Sequence, residues 1–209
     1  SLVDQTLGLE AGADRFLTLD LHAGQIQGFF NIPGDEVSTF HLLSDYMMEK
    51  RLGQLPGGAV VVTADLGYAK KGRNFAQALN LPMAFIEKRR SGNDAKAQAL
   101  TVIGDVAGKA VILVDDEVDT AGSMLGAVNI LKQSGAGDVY LCFTHPILSP
   151  PAVDRLRSLP LKEIITTNSV PIPGEKMLPN LTQLSVAPLL GEVIRRIHEG
   201  QSVGAIFNE

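Results

Sequence analysis

The stretch Ala110-Val111-Ile112-Leu113-Val114-Asp115-Asp116-Glu117-Val118-Asp119-Thr120-Ala121-Gly122-Ser123 decides the fold. Its first five residues are apolar and rich in β-branched side chains, as expected of a strand buried on both faces. Two adjacent carboxylates end that strand. A short loop with Thr120, Gly122 and Ser123 then opens a helix predicted over 123–133, stopped by Ser134-Gly135-Ala136-Gly137. Such a loop, joined to a helix N-terminus, turns backbone N–H groups toward an anion and suits one phosphate. No Walker lysine follows Gly122, so this is not a nucleoside-triphosphate P-loop. Carboxylates beside a phosphate nest make sense when the ligand also carries hydroxyls, because aspartate accepts from vicinal sugar hydroxyls. The ligand implied is a sugar phosphate, a pentose 5-phosphate in particular. A helix start that merely gathers acidic residues against its dipole would explain Asp119 or Ser123, but not Asp115-Asp116 at a strand end.

The same alternation extends in both directions. Strands are predicted over 16–21, 59–64, 83–86, 139–144, 164–167 and 181–186, and helices over 38–51, 74–79, 151–159 and 189–198. Ser38 can cap the first of these helices. Strands that are apolar throughout and alternate with helices predict an α/β fold, a parallel sheet flanked by helices. In open sheets of this kind the ligand binds beyond the carboxyl ends of the strands. The stretch 89–96, with Ser91-Gly92-Asn93-Asp94, reads as a loop suited to act as a lid.

Further chemistry-bearing residues sit at other strand ends. Glu87, Lys88, Arg89 and Arg90 follow an apolar run, and their three cations either stabilise charge on a transferring phosphoryl group or form a solvated turn. His22 follows a strand and suits a metal, a phosphate or a local hydrogen bond. Asp65 has the same ambiguity, and with His22 it suits one nucleotide-borne Mg²⁺, which takes few protein ligands. Lys70, Lys71 and Arg73 read as a solvated helix start or as neighbours of the anion. His41, His145 and His198 form no usable ligand spacing.

The 209 residues are enough for one large domain, or for one domain with part of another. A net charge of -5 with no basic run argues against general nucleic-acid binding, which needs clustered Lys and Arg. The single cysteine, Cys142, excludes an internal disulfide and a cysteine-cluster zinc site, and its apolar surroundings predict an inert buried thiol. No apolar stretch approaches the ~20 residues that span a membrane, and no signal peptide opens the chain, so a cytoplasmic location is expected. A chain that opens on Ser1 rather than Met is expected to be processed or trimmed.

Four ordered motifs, spread over essentially the whole chain, resemble the ribose-phosphate diphosphokinases, or phosphoribosyl pyrophosphate (PRPP) synthetases. They are DLHAGQIQGFFNIPGD at 20–35, EKRR at 87–90, VDDEVDTAGS at 114–123 and SVAPLLGEVIRRIHEGQSVGAIF at 185–207. The resemblance implies a transferase that moves the β,γ-diphosphoryl group of Mg-ATP to the 1-hydroxyl of ribose 5-phosphate, giving PRPP and AMP for nucleotide biosynthesis. It also implies a type I phosphoribosyltransferase-like domain and a homo-oligomer, typically a hexamer. By the same resemblance His22 and Asp65 are Mg²⁺ and ATP-phosphate ligands, Lys88 is catalytic, and Arg90 holds ribose 5-phosphate and the transition state. Asp115 and Asp116 face the ribose hydroxyls, Asp119 lies near the reacting sugar, and Thr120, Ala121, Gly122 and Ser123 cradle the 5-phosphate.

Members of this family carry about two such domains. The acidic adenine-contacting loop and the Arg-Gln pair of the first are absent from this sequence. Residues 1–36 resemble the end of the first domain, 37–190 the second domain, and 191–209 the segment that packs toward the first. Ile197 and Phe207 are therefore expected to lack a partner. Other departures are Glu117 where the family usually has an apolar residue, Ser91 for a common Pro, and THPILSPPA at 144–152 for a Gly-containing version. Two alternatives stay open: a non-catalytic or truncated PRPP-synthetase-like subunit, and a PRPP-using phosphoribosyltransferase. The first is favoured by the missing ATP half and opposed by Lys88, Arg90 and the intact loop. The second is opposed by the DLH and KRR segments.

Overall fold

The computed structural model describes residues 12–64, 67–90 and 98–206, with the backbone alone at 88–90, 98 and 99. In chain order the elements are β1 (Phe16–Leu19), β2 (Gly34–Val37), α1 (Phe40–Glu49), β3 (Ala59–Thr63), α2 (Ala69–Ala78), β4 (Met83–Arg90), β5 (Gln98–Ile103), β6 (Ala110–Val118), α3 (Gly122–Gln133), β7 (Val139–Pro146), α4 (Ala152–Ser158), β8 (Leu161–Thr167), β9 (Leu181–Leu184) and α5 (Ala187–His198). They divide into two compact units, Ser1–His41 with Val186–Glu209, and Leu42–Ser185.

In the first unit β1 pairs in parallel with β2, Phe16 opposite Gly34. The Phe16 ring lies over Gly34: a Cβ there would fall 2.0 Å from it, so the ring would have to swing away. Val37, Val193 and Val203 form the core, with Leu17, Leu19, Leu189, Ile197 and Ile206 packed on it. Ile197 therefore has apolar partners, contrary to expectation, because α5 folds onto the β1–β2 pair. Phe207 lies outside the described residues. Ile194, 60% exposed, is a large apolar side chain that α5 leaves to solvent. The helix expected from Ser38 starts two residues later, at Phe40. Buried Asp20 explains the shift: its carboxylate accepts from Ser38 Oγ (2.8 Å), Thr39 N (2.8 Å) and Thr39 Oγ1 (2.7 Å). Ser38 Oγ then accepts from the N–H of Phe40 at 3.2 Å.

In the second unit one seven-stranded sheet has the order β5-β4-β3-β6-β7-β8-β9. All neighbours are parallel except β4 and β5. One face of the sheet carries Val111, Leu113, Val139, Leu141, Phe143 and Ile164 against Met124, Ala127, Val128 and Leu131 of α3 and Leu156 of α4. Each of these side chains other than Ala127 contributes about 1.5–3 kcal/mol by leaving water. On α2, Gly72 is buried against the Thr63 methyl. Tyr46 of α1 fastens to β8 by donating to Glu163 Oε1 at 2.5 Å. Cys142 is fully buried, which pushes its thiol well above the ordinary value and leaves it inert.

Three local expectations change. The stretch after the expected 89–96 loop, read from the sequence as helical, is a strand over Gln98–Ile103, and Leu100 and Val102 pack on the core from it. Arg89 and Arg90 belong to β4, paired with Ala99 and Gln98, rather than to a loop; the rest of that expected loop, 91–96, lies outside the described residues. The strand expected to stop at Val114 runs on to Val118, because β7 continues beside it: Glu117 pairs with His145 and Val118 with Pro146. No helix among the described residues is long and apolar enough to cross a membrane.

Candidate functional site

The chain adds β4 and β5 on one side of β3, then crosses to β6 on the other side and proceeds to β9. The direction of winding reverses between β3 and β6. Crossover connections diverge at that point and leave a crevice beyond the strands' carboxyl ends. The register there pairs Thr63 with Val114, so Asp115 and the residues after it emerge beside the end of β3.

Asp115 is half-buried, and its Oδ1 accepts from the N–H of Asp116 at 2.9 Å. Asp116 is only 6% exposed. Neighbouring residues of a strand face opposite sides, so these two carboxylates are presented differently although they adjoin in sequence. Beyond Val118 the chain leaves the sheet. Asp119 and Thr120 are exposed, and Ala121 is buried in the left-handed region at φ 57°, ψ 18°. Gly122 then starts α3, with no side chain capping its first turn. A left-handed residue followed by a helical one makes successive N–H groups converge, which is the geometry of an anion nest. The helix dipole adds partial positive charge at the same place.

The other residues singled out in the sequence fall as follows. His22 is exposed, between β1 and a short 3-10 turn at Gly24–Phe29. Lys88 and Arg90 lie in β4 with backbones paired to Leu100 and Gln98. Asp65 lies outside the described residues. Among the described residues no three His, Cys, Asp or Glu side chains are grouped to hold a metal.

Two features escaped the sequence. Arg155 of α4 donates through Nη1 to the Thr120 carbonyl at 2.9 Å. His145, set aside for lack of ligand spacing, sits beside Glu117 across β6 and β7 and bonds Ser169 Oγ through Nδ1 at 2.9 Å. Ser169 Oγ and Thr167 Oγ1 both donate to the Thr144 carbonyl, at 3.1 and 2.8 Å. No linear spacing signals either contact, since each joins different strand ends or helices.

A family model described as the phosphoribosyl synthetase-associated domain matches residues 91–208. The chain belongs to this family. It is 47% identical over 197 residues to a ribose-phosphate pyrophosphokinase of Caldanaerobacter subterraneus, covering 94% of this chain and 61% of that protein. A ribose-phosphate pyrophosphokinase of a Nostoc species is 48% identical over 199 residues, covering 95% and 59%. The chain thus spans about three-fifths of the length of the curated relatives it matches. Phosphoribosylpyrophosphate synthetase of Mycobacterium smegmatis superposes with a TM-score of 0.85 at 42% identity, over 95% of this chain and 63% of that one. The mostly parallel, helix-flanked sheet is therefore the fold of the matching part of that enzyme.

Proposed function

We propose that this chain is the ribose 5-phosphate half of a ribose-phosphate diphosphokinase. The observation that carries the reading is the Asp115-bearing strand end running straight into an uncapped, left-handed helix entry at a sheet switch point. The names and identities of the relatives support it.

In this reading the N–H groups of Ala121, Gly122 and Ser123 and the Thr120 and Ser123 hydroxyls take the 5-phosphate. Asp115 accepts from the ribose hydroxyls, with buried Asp116 behind it and Asp119 toward the reacting end of the sugar. The 1-hydroxyl oxygen attacks the β-phosphorus of ATP. The new O–P bond forms as the bond from that phosphorus to the α,β-bridging oxygen breaks; AMP leaves, and the hydroxyl proton passes to solvent. Lys88 and Arg90 neutralise charge on the transferring group, so the protein supplies position and electrostatics rather than covalent chemistry. The donor chemistry fits Mg²⁺ in part. The Asp65 carboxylate is a hard oxygen ligand, whereas the exposed His22 imidazole suits a phosphate oxygen better. Bound Mg²⁺ supplies neutralisation of polyphosphate charge.

The domain reading belongs to the same proposal: 1–36 as the end of a first domain, 37–190 as the second, and 191–209 as the returning segment. The packing of Leu17 and Leu19 on the core that holds Val193 and Val203 supports joining the first and last of these. A cytoplasmic homo-oligomer, a hexamer by family likeness, is proposed as the working assembly.

Calorimetric titration of the chain with ribose 5-phosphate tests the reading. Saturable binding that Asp115→Ala weakens is the expected outcome. A folded chain that does not bind, or an Asp115→Ala variant of unchanged affinity, would overturn it.

A further inference from the structure

We propose that Arg155 is a positioning residue that aims the phosphate nest. The inference rests on the ribose 5-phosphate reading above and adds a residue from a separate helix. Arg155 sits on α4, where its own N–H donates to the Pro151 carbonyl at 3.1 Å. Its Nη1 reaches the Thr120 carbonyl at 2.9 Å. In a trans peptide the carbonyl and the next N–H point in opposite directions. Holding the Thr120 oxygen on the guanidinium therefore turns the Ala121 N–H the other way, toward the side where Gly122 and Ser123 present theirs.

Two further observations agree with a clamp here. A Cβ on Gly122 would stand 3.4 Å from Arg155 Nη1, so the guanidinium lies directly against the loop at this residue as well. Ala121 holds φ 57° although it is not a glycine, a conformation that is unfavourable for an L-residue and persists only where neighbours enforce it. Asp154, next to Arg155 on the helix, pairs with Arg157 instead. The Arg155 cation is thus directed at the loop and adds positive charge behind the anion.

The test uses the whole chain, with ribose 5-phosphate as the titrant and amide NMR and calorimetry as readouts. In the unmodified chain the Ala121 amide resonance is expected to shift on titration. Arg155→Met, which keeps the aliphatic length and removes the donors, should weaken binding by about tenfold to a hundredfold, the worth of one charge-assisted hydrogen bond. Arg155→Lys should recover most of the affinity, whereas a role in α4 stability alone would show as a lower melting temperature with no such rescue. No binding by the folded, unmodified chain overturns the ribose 5-phosphate reading itself. Binding with a silent Ala121 amide overturns the role of Arg155, as does unaltered affinity in Arg155→Met. The Ala121 readout needs no variant, so it stands even if Arg155→Met does not fold.

Discussion

Gly72 of α2 lies so close to Thr63 of β3 that a Cβ on the glycine would fall 2.3 Å from Thr63 Cγ2 and 3.1 Å from Met83 Cε. The helix can approach the sheet this closely only because position 72 has no side chain. Gly72→Ala is expected to destabilise the fold by about 1–3 kcal/mol, the usual cost of overpacking, despite the better helix propensity of alanine. Urea denaturation measures it, and an unchanged midpoint would contradict the packing described.

Thr63 has a second peculiarity. It is fully buried, and its hydroxyl has no hydrogen-bond partner among the described residues. An unsatisfied buried hydroxyl costs about 1–3 kcal/mol, so the near-isosteric Thr63→Val should stabilise the chain by about 1 kcal/mol. A loss of stability on thermal unfolding would mean that the hydroxyl is satisfied in solution.

Glu117 stands half-buried on β6, two residues from Asp115 and beside His145. A carboxylate near an anionic ligand repels it, by an amount limited by solvent screening. Glu117→Leu is expected to tighten ribose 5-phosphate binding by about twofold to fivefold. Calorimetry reads this directly, and weaker binding would assign Glu117 a supporting contact instead.

Lys88→Ala separates chemistry from binding. In active enzyme containing this chain it should lower AMP formation by orders of magnitude while ribose 5-phosphate affinity stays within about threefold. An equal loss of both would move Lys88 from the transferring group to the sugar site.

Glu192 of α5 gives a pH prediction. Hydrogen bonds from Arg195, and then from Arg196, hold its carboxyl at about 2 against an ordinary 4.5. A depressed carboxylate contributes stability that is complete above its unfolded value and is lost as pH falls through the folded one. The window therefore runs from 4.5 down to about 2. Because these side chains are in contact with solvent the contribution is small and salt-sensitive. Carboxyl NMR should show a low midpoint that rises in Arg195→Ala; a midpoint unaffected by that substitution would remove the pairing.

The alternation of apolar runs with helical spacing was enough to read the parallel sheet and most of its helices. It was enough because parallel strands are covered on both faces and so are apolar at every position, as 110–114 shows. The strand at 98–103 was not read as one because it is an edge strand with one covered face; Leu100 and Val102 pack on the core, and Gln98 and Thr101 interrupt the apolar run. The extension of β6 through Asp115, Asp116 and Glu117 was hidden for a related reason. Charged residues continue a strand when a neighbour supplies the ladder, and β7 supplies it here.

The linear sequence by itself determined the loop and suggested the ligand class proposed for it. A buried strand, two carboxylates and a small-residue helix entry are contiguous, and contiguous residues need no tertiary fold to be brought together. Tertiary structure alone decided what surrounds that loop: the crevice between β3 and β6, the different burial of Asp115 and Asp116, the Glu117–His145 pairing, and the Arg155 contact with Thr120 across 35 residues. Contacts between distant segments depend on strand order and register, which packing selects and no local spacing records.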